Sequence, residues 1–469
     1  MRIYPEDPTI STLDGFDPSV DIFQRKIFGE DLTRLLSQVS DPLVLALDAP
    51  WGAGKSTFLK MWAGHLRNNG FPVIYFDAFA NDHMSEAFEA IAGEVLALAS
   101  EVKAENAELY DDFLDKSVRV GKIIFRGSVR AALKAGTLGI LDSDSLNQFG
   151  ELREELASEA GAISDVFLRS QLEGHKEQKK AFESFRQALE SLSCGLNVGT
   201  IEKTSKNSEG ESVEPFGHRP LVFIIDELDR CRPTFALEML EKVKHFFSVP
   251  GVHFVLGTHL KQLENSVRFA YGPEIEAATY LQKFYHLIVQ LPEGSNREYE
   301  RYSKKYLVKI FDQLPKDDEG GQFTSTLITM IDHFVHANQL TFRTIDRIAT
   351  SISIVVASTN KRNLRIAPII GGLCIMKVLE PDLYKKARRG QATIAEIEKF
   401  FGFENWGEDS LVGERTRKWW EYCVVPNLDE SEGLWQNFAQ GLFRFNIDDR
   451  HEIVPILATR FVDRFMVPD

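Results

Sequence analysis

A-P-W-G-A-G-K-S-T, Ala49 to Thr57, follows the apolar run Leu43 to Leu47 and opens a helix-forming segment, Thr57 to Arg67. A glycine-rich turn between a buried strand and a helix is the setting that a phosphate-binding loop requires. Consecutive backbone N–H groups form a concave cradle for phosphate oxygens, and the helix adds the positive end of its dipole. Gly52 and Gly54 allow close approach and backbone conformations that a side chain would forbid. The stretch therefore predicts a cradle of Trp51, Gly52, Ala53, Gly54, Lys55, Ser56 and Thr57. In it, Lys55 reaches the β- and γ-phosphates and the Ser56 hydroxyl sits on Mg²⁺. One position departs from G-x-x-x-x-G-K-[ST]: Ala49 stands where the first glycine is expected, which predicts a slightly strained loop that still functions.

A second stretch completes the chemistry. Leu221 to Ile225 reads L-V-F-I-I, an unbroken apolar run suited to a strand covered on both faces, and it ends in Asp226-Glu227. An acidic residue at such a strand end holds magnesium in P-loop enzymes, which assigns Asp226 to the metal beside Ser56. The next carboxylate, Glu227, is placed to polarise the water that attacks a γ-phosphate. No guanine-reading N-K-x-D is present, so the expected cofactors are ATP and Mg²⁺.

Further candidate strands lie at Pro72 to Asp77, Val252 to Gly257 and near Tyr285 to Leu291. Candidate helices run from about Ser85 to Ser100 and from about Thr234 to Phe247, and Phe28, Leu32, Leu35 and Leu36 fall at helical spacing. Alternating strands and helices predict an α/β fold with a parallel sheet flanked by helices. Lys55 and Asp226 are 171 positions apart, more than one strand and helix need, so a large, mostly helical insertion separates them. The expected organisation is a leader over 1–40, core over 41–100, insertion over 101–217, core again over 218–292, and a helical C-terminal region over 293–469. Within the insertion, Ser205 to Gly217 has the composition of a mobile loop, and Glu151 to Leu192 reads as a charged helical hairpin standing out from the sheet. Val118 to Leu141 sets Arg119, Lys122, Arg126, Arg130 and Lys134 on one helix face. That face suits either a solvated side of a packed helix, the commoner case, or an anionic membrane surface.

Composition narrows the classes. With 43% hydrophobic and 26% charged residues the chain is in the globular range, and a net charge of -15 argues against a surface that binds nucleic acid over most of its area. Lys385 to Arg389 and Arg415 to Trp420 are basic, the second with adjacent tryptophans, and read as solvated helix faces anchored by an aromatic. Cys194, Cys231, Cys374 and Cys423 lack C-x-x-C spacing, and His245, His253 and His259 lack ligand spacing, so free buried thiols and no structural zinc are expected. The N-terminal residues lack a signal-peptide core and no stretch has the length of a membrane span, which together predict a cytoplasmic location.

These pieces, in their order, resemble the KAP family of P-loop NTPases, in the STAND-like branch with an extra strand between the two Walker elements. D-x-F-x-R-x-x-F-x-x-x-L at Asp21 to Leu32 is similar to the family's leader, W-G-A-G-K-S-T to its phosphate loop, and I-I-D-E-L-D-R-C-R-P at Ile224 to Pro233 to its acidic strand. Y-L-Q-K-F at Tyr280 to Phe284 and F-R-T-I-D-R-I at Phe342 to Ile348 are similar to the later segments. The resemblance covers Asp21 to about Thr350. It implies a long insertion, often membrane-spanning in the family but too charged here. It also implies a residue after the sensor strand, where Thr258-His259 replaces the usual acid; Thr258 can still bond the γ-phosphate or the attacking water. Arg343 and Arg347 match the closing helix, and Arg343 is the expected γ-phosphate contact, while Arg230 acts in trans or pairs with a carboxylate. The expected catalytic set is thus Glu227, Lys55, Arg343 and Thr258. The family's bacterial members imply protein partners encoded nearby, in mobile-element or phage-defence operons. The leading expectation is an ATPase whose cycle moves the helical domain or changes assembly, homo-oligomers included. A nucleotide-held scaffold with little hydrolysis and a DNA- or membrane-associated module are the alternatives. Gly390 to Asp469 matches no readable pattern.

Overall fold

β1 (Leu43–Asp48), β2 (Val73–Asp77), β3 (Leu221–Asp226), β4 (Val252–Thr258) and β5 (Leu287–Gln290) pair in parallel in the order β2-β3-β4-β1-β5. The computed structural model describes residues 9–83, 86–101, 107–134, 179–196, 219–292, 296–311, 322–359, 363–406, 410–428, 433–442, 445, 447 and 449–464. β3 and β4 are buried at every residue, which explains their lack of polar alternation: central parallel strands are covered on both faces. Edge strand β5 exposes Leu287 and Ile288. β4 lies between β1, which feeds the glycine-rich turn, and β3, which ends in Asp226. The ends of all three strands therefore meet at one rim of the sheet, with Asp48 of β1 level with Thr258 of β4.

The leader holds the loop helix in place. Asp21 accepts the backbone N–H groups of Arg25 (2.9 Å) and Lys26 (3.0 Å) through its two oxygens, satisfying donors that the start of α1 (Lys26–Gln38) would leave bare. From α1, the Thr33 hydroxyl donates to the Gly29 carbonyl at 2.7 Å and accepts the Trp62 indole N–H at 2.9 Å. Trp62 is fully buried on α2 (Lys55–Asn68), the helix whose first two residues are Lys55 and Ser56. Phe16 and Phe28 both lie against Phe58 one turn earlier. Gly29 is required here, since a Cβ would come within 2.4 Å of the Phe16 ring. His253 ties the same layer to the sheet: its Nδ1 accepts the Leu43 N–H at 3.3 Å, leaving Nε2–H to donate to Val39 O at 3.0 Å.

α3 (Ala87–Glu101), α4 (Ala107–Lys134), α5 (residues 179–196), α6 (Pro233–Lys242), α7 (Leu260–Tyr271) and α8 (Ala277–Leu281) complete this unit. α6 starts on Pro233, a residue suited to a first helical turn, and gives way to a π-type turn over Val243–Phe247. The described part of the predicted Glu151–Leu192 hairpin does not stand out from the sheet. Phe185, Leu189 and Leu192 of α5 are buried, and Phe185 packs within 5.2 to 5.4 Å of Phe88, Phe113 and Phe247. Aromatic area on a charged helix outweighed its apparent solvation. The loop expected at Ser205 to Gly217, and residues 135–141 of the basic stretch, lie outside the described residues.

A second compact unit takes in the helices after Pro292 together with the turn Pro50–Gly54. It comprises α9 (Asn296–Phe311), α10 (Gln322–Asn338), α11 (Phe342–Ser358), α12 (Ala367–Leu379), α13 (Pro381–Arg388), α14 (Ile394–Phe401), α15 (Leu411–Val424), α16 (Gly433–Leu442) and α17 (Ile453–Leu457). α12 is buried continuously from Ala367 to Met376 and forms its axis. Within the basic runs Lys386 pairs with Glu396, Arg388 with Asp463, and Arg417 with Glu398. Trp420 is fully buried and Trp419 stacks on Phe438 at 4.0 Å, so both tryptophans pack against the core of this unit. Cys231, Cys374 and Cys423 are buried free thiols, whereas Cys194 is exposed, contrary to the expected burial; it lies near the end of α5, away from its packed face. Among the described residues no helix is long and apolar enough to cross a membrane.

Two outcomes follow. Thr33→Val leaves the buried Trp62 N–H without an acceptor and should cost about 1–3 kcal/mol of stability in urea unfolding. The second concerns half-buried His65, which rests on Phe16 with ring centroids 5.6 Å apart. Burial pushes its imidazole below the ordinary value, with Lys26 adding to this and Glu30 opposing it. The unfolded state then binds the extra proton, so stability falls as pH drops through the ordinary histidine value of about 6.5. The unfolding free energy of wild type minus that of His65→Gln should decline over that window.

Candidate functional site

The glycine-rich turn leaves β1 with Gly52 at φ 82° and Gly54 at φ 79°, the left-handed region that excludes most side chains. The strain expected at Ala49 is absent. The non-glycine residues with positive φ among those described are Gln24, Glu227 and Gln339, and Ala49 simply continues the strand. Its N–H donates to Thr258 O at 3.3 Å and its carbonyl accepts Lys55 Nζ at 3.2 Å. Ser56 and Thr57 follow in the first turn of α2, and Trp51 and Ala53 lie in the turn itself. Within the unit that holds Pro50–Gly54, a Cβ on Gly52 would stand 2.8 Å from the Arg343 Cβ and 3.0 Å from Thr341 Oγ1. Exposed Arg343 lies in the first turn of α11 after its capping residue Thr341, and Arg347 follows one turn later.

Asp226 has no solvent exposure. Its Oδ2 accepts the Tyr75 hydroxyl at 2.7 Å and its Oδ1 accepts the Glu227 N–H at 2.8 Å. Burial first, and then the Asp226 charge, hold the Tyr75 phenol far above its ordinary value, so it remains a donor. Gly257 of β4 leaves room for the carboxylate, since a Cβ there would lie 2.7 Å from Asp226 Oδ1 and 2.5 Å from Leu59. Glu227 itself adopts φ 59° and ψ 26°, and a short 3₁₀ turn, Leu228–Arg230, follows it. Arg230 Nη1 lies 2.7 Å from Glu227 Oε1. Of the arginine roles anticipated, pairing with a carboxylate is the one this geometry displays.

Lys55 is buried and reaches across to that turn, with Nζ 3.8 Å from Asp229 Oδ1. Burial pushes its ammonium below the ordinary lysine value; Asp229, Asp226 and Asp48 oppose the shift and Arg230 adds to it. Thr258, one strand over, is wholly buried, and its Oγ1 has no hydrogen-bond partner among the described residues. An unpartnered buried hydroxyl is costly unless something binds it. The donor set suits a nucleotide and Mg²⁺: a glycine cradle with a lysine for phosphate, and a hydroxyl and a carboxylate as hard oxygen ligands for the metal. Among the described residues no group of three His, Cys, Asp or Glu is placed to hold a metal ion.

Sequence reasoning missed Tyr75, Asp229 and Gly257. Asp229 carried a signal as the second aspartate of D-E-L-D-R, and Gly257 as the small residue ending an apolar run. Tyr75 had none, because its role depends on β2 lying beside β3.

A phosphate-type loop at the end of one parallel strand, a lysine-led helix after it, and a buried acid two strands away across β4 define a P-loop nucleotide-binding domain. The chain matches the KAP family P-loop domain over residues 25–359 and belongs to that family. No curated protein sequence matches it. Nucleotide binding is the property that this membership implies.

Gly257→Ala forces Asp226 or Leu59 to move. It should cost about 1–3 kcal/mol of stability and raise the Mg²⁺ concentration needed for half-maximal nucleotide binding, followed by titration calorimetry.

Proposed function

We propose that the chain binds ATP with Mg²⁺, hydrolyses it in the cytoplasm, and uses the cycle as a conformational or assembly switch within a protein complex. The observation that carries this reading is the meeting of Lys55 with the acidic turn beside the unpartnered Thr258 hydroxyl. Residues Trp51 to Thr57 cradle the phosphates, Lys55 neutralises the β- and γ-phosphates, and Ser56 and Asp226 hold the metal. When bound, Mg²⁺ offsets the charge of the phosphate chain. Glu227 takes the proton of the attacking water, Thr258 bonds the water or the γ-phosphate, and Arg343 reaches the γ-phosphate from α11, next to Gly52. ATP is preferred to GTP because N-K-x-D is lacking. Partner proteins, or further copies of this chain, receive the output.

A second reading, a nucleotide-held scaffold with little turnover, is favoured by one observation: Glu227 is already engaged by Arg230. One experiment separates the two. In the ATPase, Lys55→Ala abolishes both nucleotide binding and turnover. Glu227→Gln retains ATP while turnover falls by roughly two orders of magnitude or more, the usual scale for loss of a general base. Tight ATP binding by wild type, with turnover no greater than that of the two variants, would favour the scaffold.

A further inference from the structure

Two cations and two carboxylates interlock at the rim of the sheet. Lys55 Nζ lies 3.8 Å from Asp229 Oδ1, and Arg230 Nη1 lies 2.7 Å from Glu227 Oε1. Three of the four groups come from one turn. The two cations are close enough that Arg230 disfavours the charged form of Lys55. Like charges held together in a partly buried place are tolerated because each has its own counter-charge. A polyanion arriving at Lys55 changes that balance, because it attracts both cations at once and repels both carboxylates.

The turn is built so that side chains, not backbone, respond. Glu227 N–H is held by Asp226, and the Glu227 carbonyl accepts Arg230 N–H at 3.1 Å and Cys231 Sγ–H at 3.6 Å. The Lys55 side chain is 9% exposed, whereas that of Arg230 keeps 28% of its surface in solvent and has room to swing. A guanidinium also carries five donors in a planar fork, so it can engage a second anion before releasing the first.

We infer that Arg230 is a phosphate-binding residue of this site, acting in cis: when a nucleoside triphosphate binds, it leaves Glu227 for the terminal phosphate. One movement then adds a cation at the γ-phosphate and frees the carboxylate that activates water. The ion pair with Glu227 is the resting position of a group that belongs to the loaded site. This inference rests on the ATP-binding reading above, and it adds to Arg343 a second arginine from the acidic turn itself.

The test compares binding of ADP and of a non-hydrolysable ATP analogue, each with Mg²⁺, by wild type, Arg230→Ala, Arg230→Lys and Glu227→Gln, with ATP turnover measured alongside. Arg230→Ala should weaken the analogue roughly ten- to a hundredfold, the scale of one lost charged hydrogen bond, while leaving ADP affinity unchanged. Its turnover should fall. Arg230→Lys, which keeps the charge but loses the fork, should lie between. Glu227→Gln, which releases the guanidinium, should hold the analogue at least as tightly as wild type. Unchanged ADP affinity also certifies that the variants are folded. An Arg230→Ala protein that turns over faster, with the analogue bound as before, would show a mere restraint on Glu227 and overturn the inference. Equal weakening of both nucleotides would overturn it too. Failure of wild type to bind either nucleotide, or indifference of binding to Lys55→Ala, would instead remove the ATP reading and this inference with it.

Discussion

Asp226 places its carboxyl group at a point with no solvent, and a buried polar group persists only where hydrogen-bond partners stand in for lost water. Tyr75 supplies one donor from β2 and the backbone of Glu227 supplies the other. Gly257 gives the space from β4, and the Lys55 ammonium is close enough that Asp226 raises its proton affinity. Each of these depends on a different strand or on the loop helix. The sheet order, the burial of β3 and β4, and the leader's grip on α2 through Trp62 and Thr33 therefore serve one electrostatic requirement.

The leader and the sheet share the work of holding Lys55 in place. α2 is gripped from one side by Phe16, Phe28 and Thr33, while its first residue pairs with a turn that belongs to β3. His253 links the end of α1 to the starts of β1 and β4, so the layer outside the sheet and the strands inside it are pinned by one imidazole. Positional precision at the phosphate loop is in this sense a property of residues far from it in sequence.

Much of the fold was legible because parallel, doubly covered strands leave unbroken apolar runs, and a glycine-rich turn after such a run has few other uses. The cradle stretch and the acidic strand end could be read for that reason. What could not be read depended on pairing across the chain. Tyr75 meets Asp226 only because β2 lies beside β3, which are separated in sequence by the whole insertion. Lys55 meets Asp229 rather than Asp226 because a 3₁₀ turn brings the second aspartate back toward Lys55, a geometry that no local periodicity encodes. In the described part of the predicted protruding hairpin the departure has a related reason: Phe185 on charged α5 finds three aromatic partners from other elements. Strain expected at Ala49 is absent because the missing glycine falls where φ is not positive, a backbone that alanine adopts freely.

Glu227 sits at φ 59°, a left-handed conformation that costs an ordinary side chain about 1–2 kcal/mol and glycine almost nothing. A glycine at this position would relieve that cost while deleting the carboxylate proposed to activate water. Durability and turnover are thus set against each other at a single residue. A variant selected only for heat resistance would be drawn toward losing its chemistry at this turn.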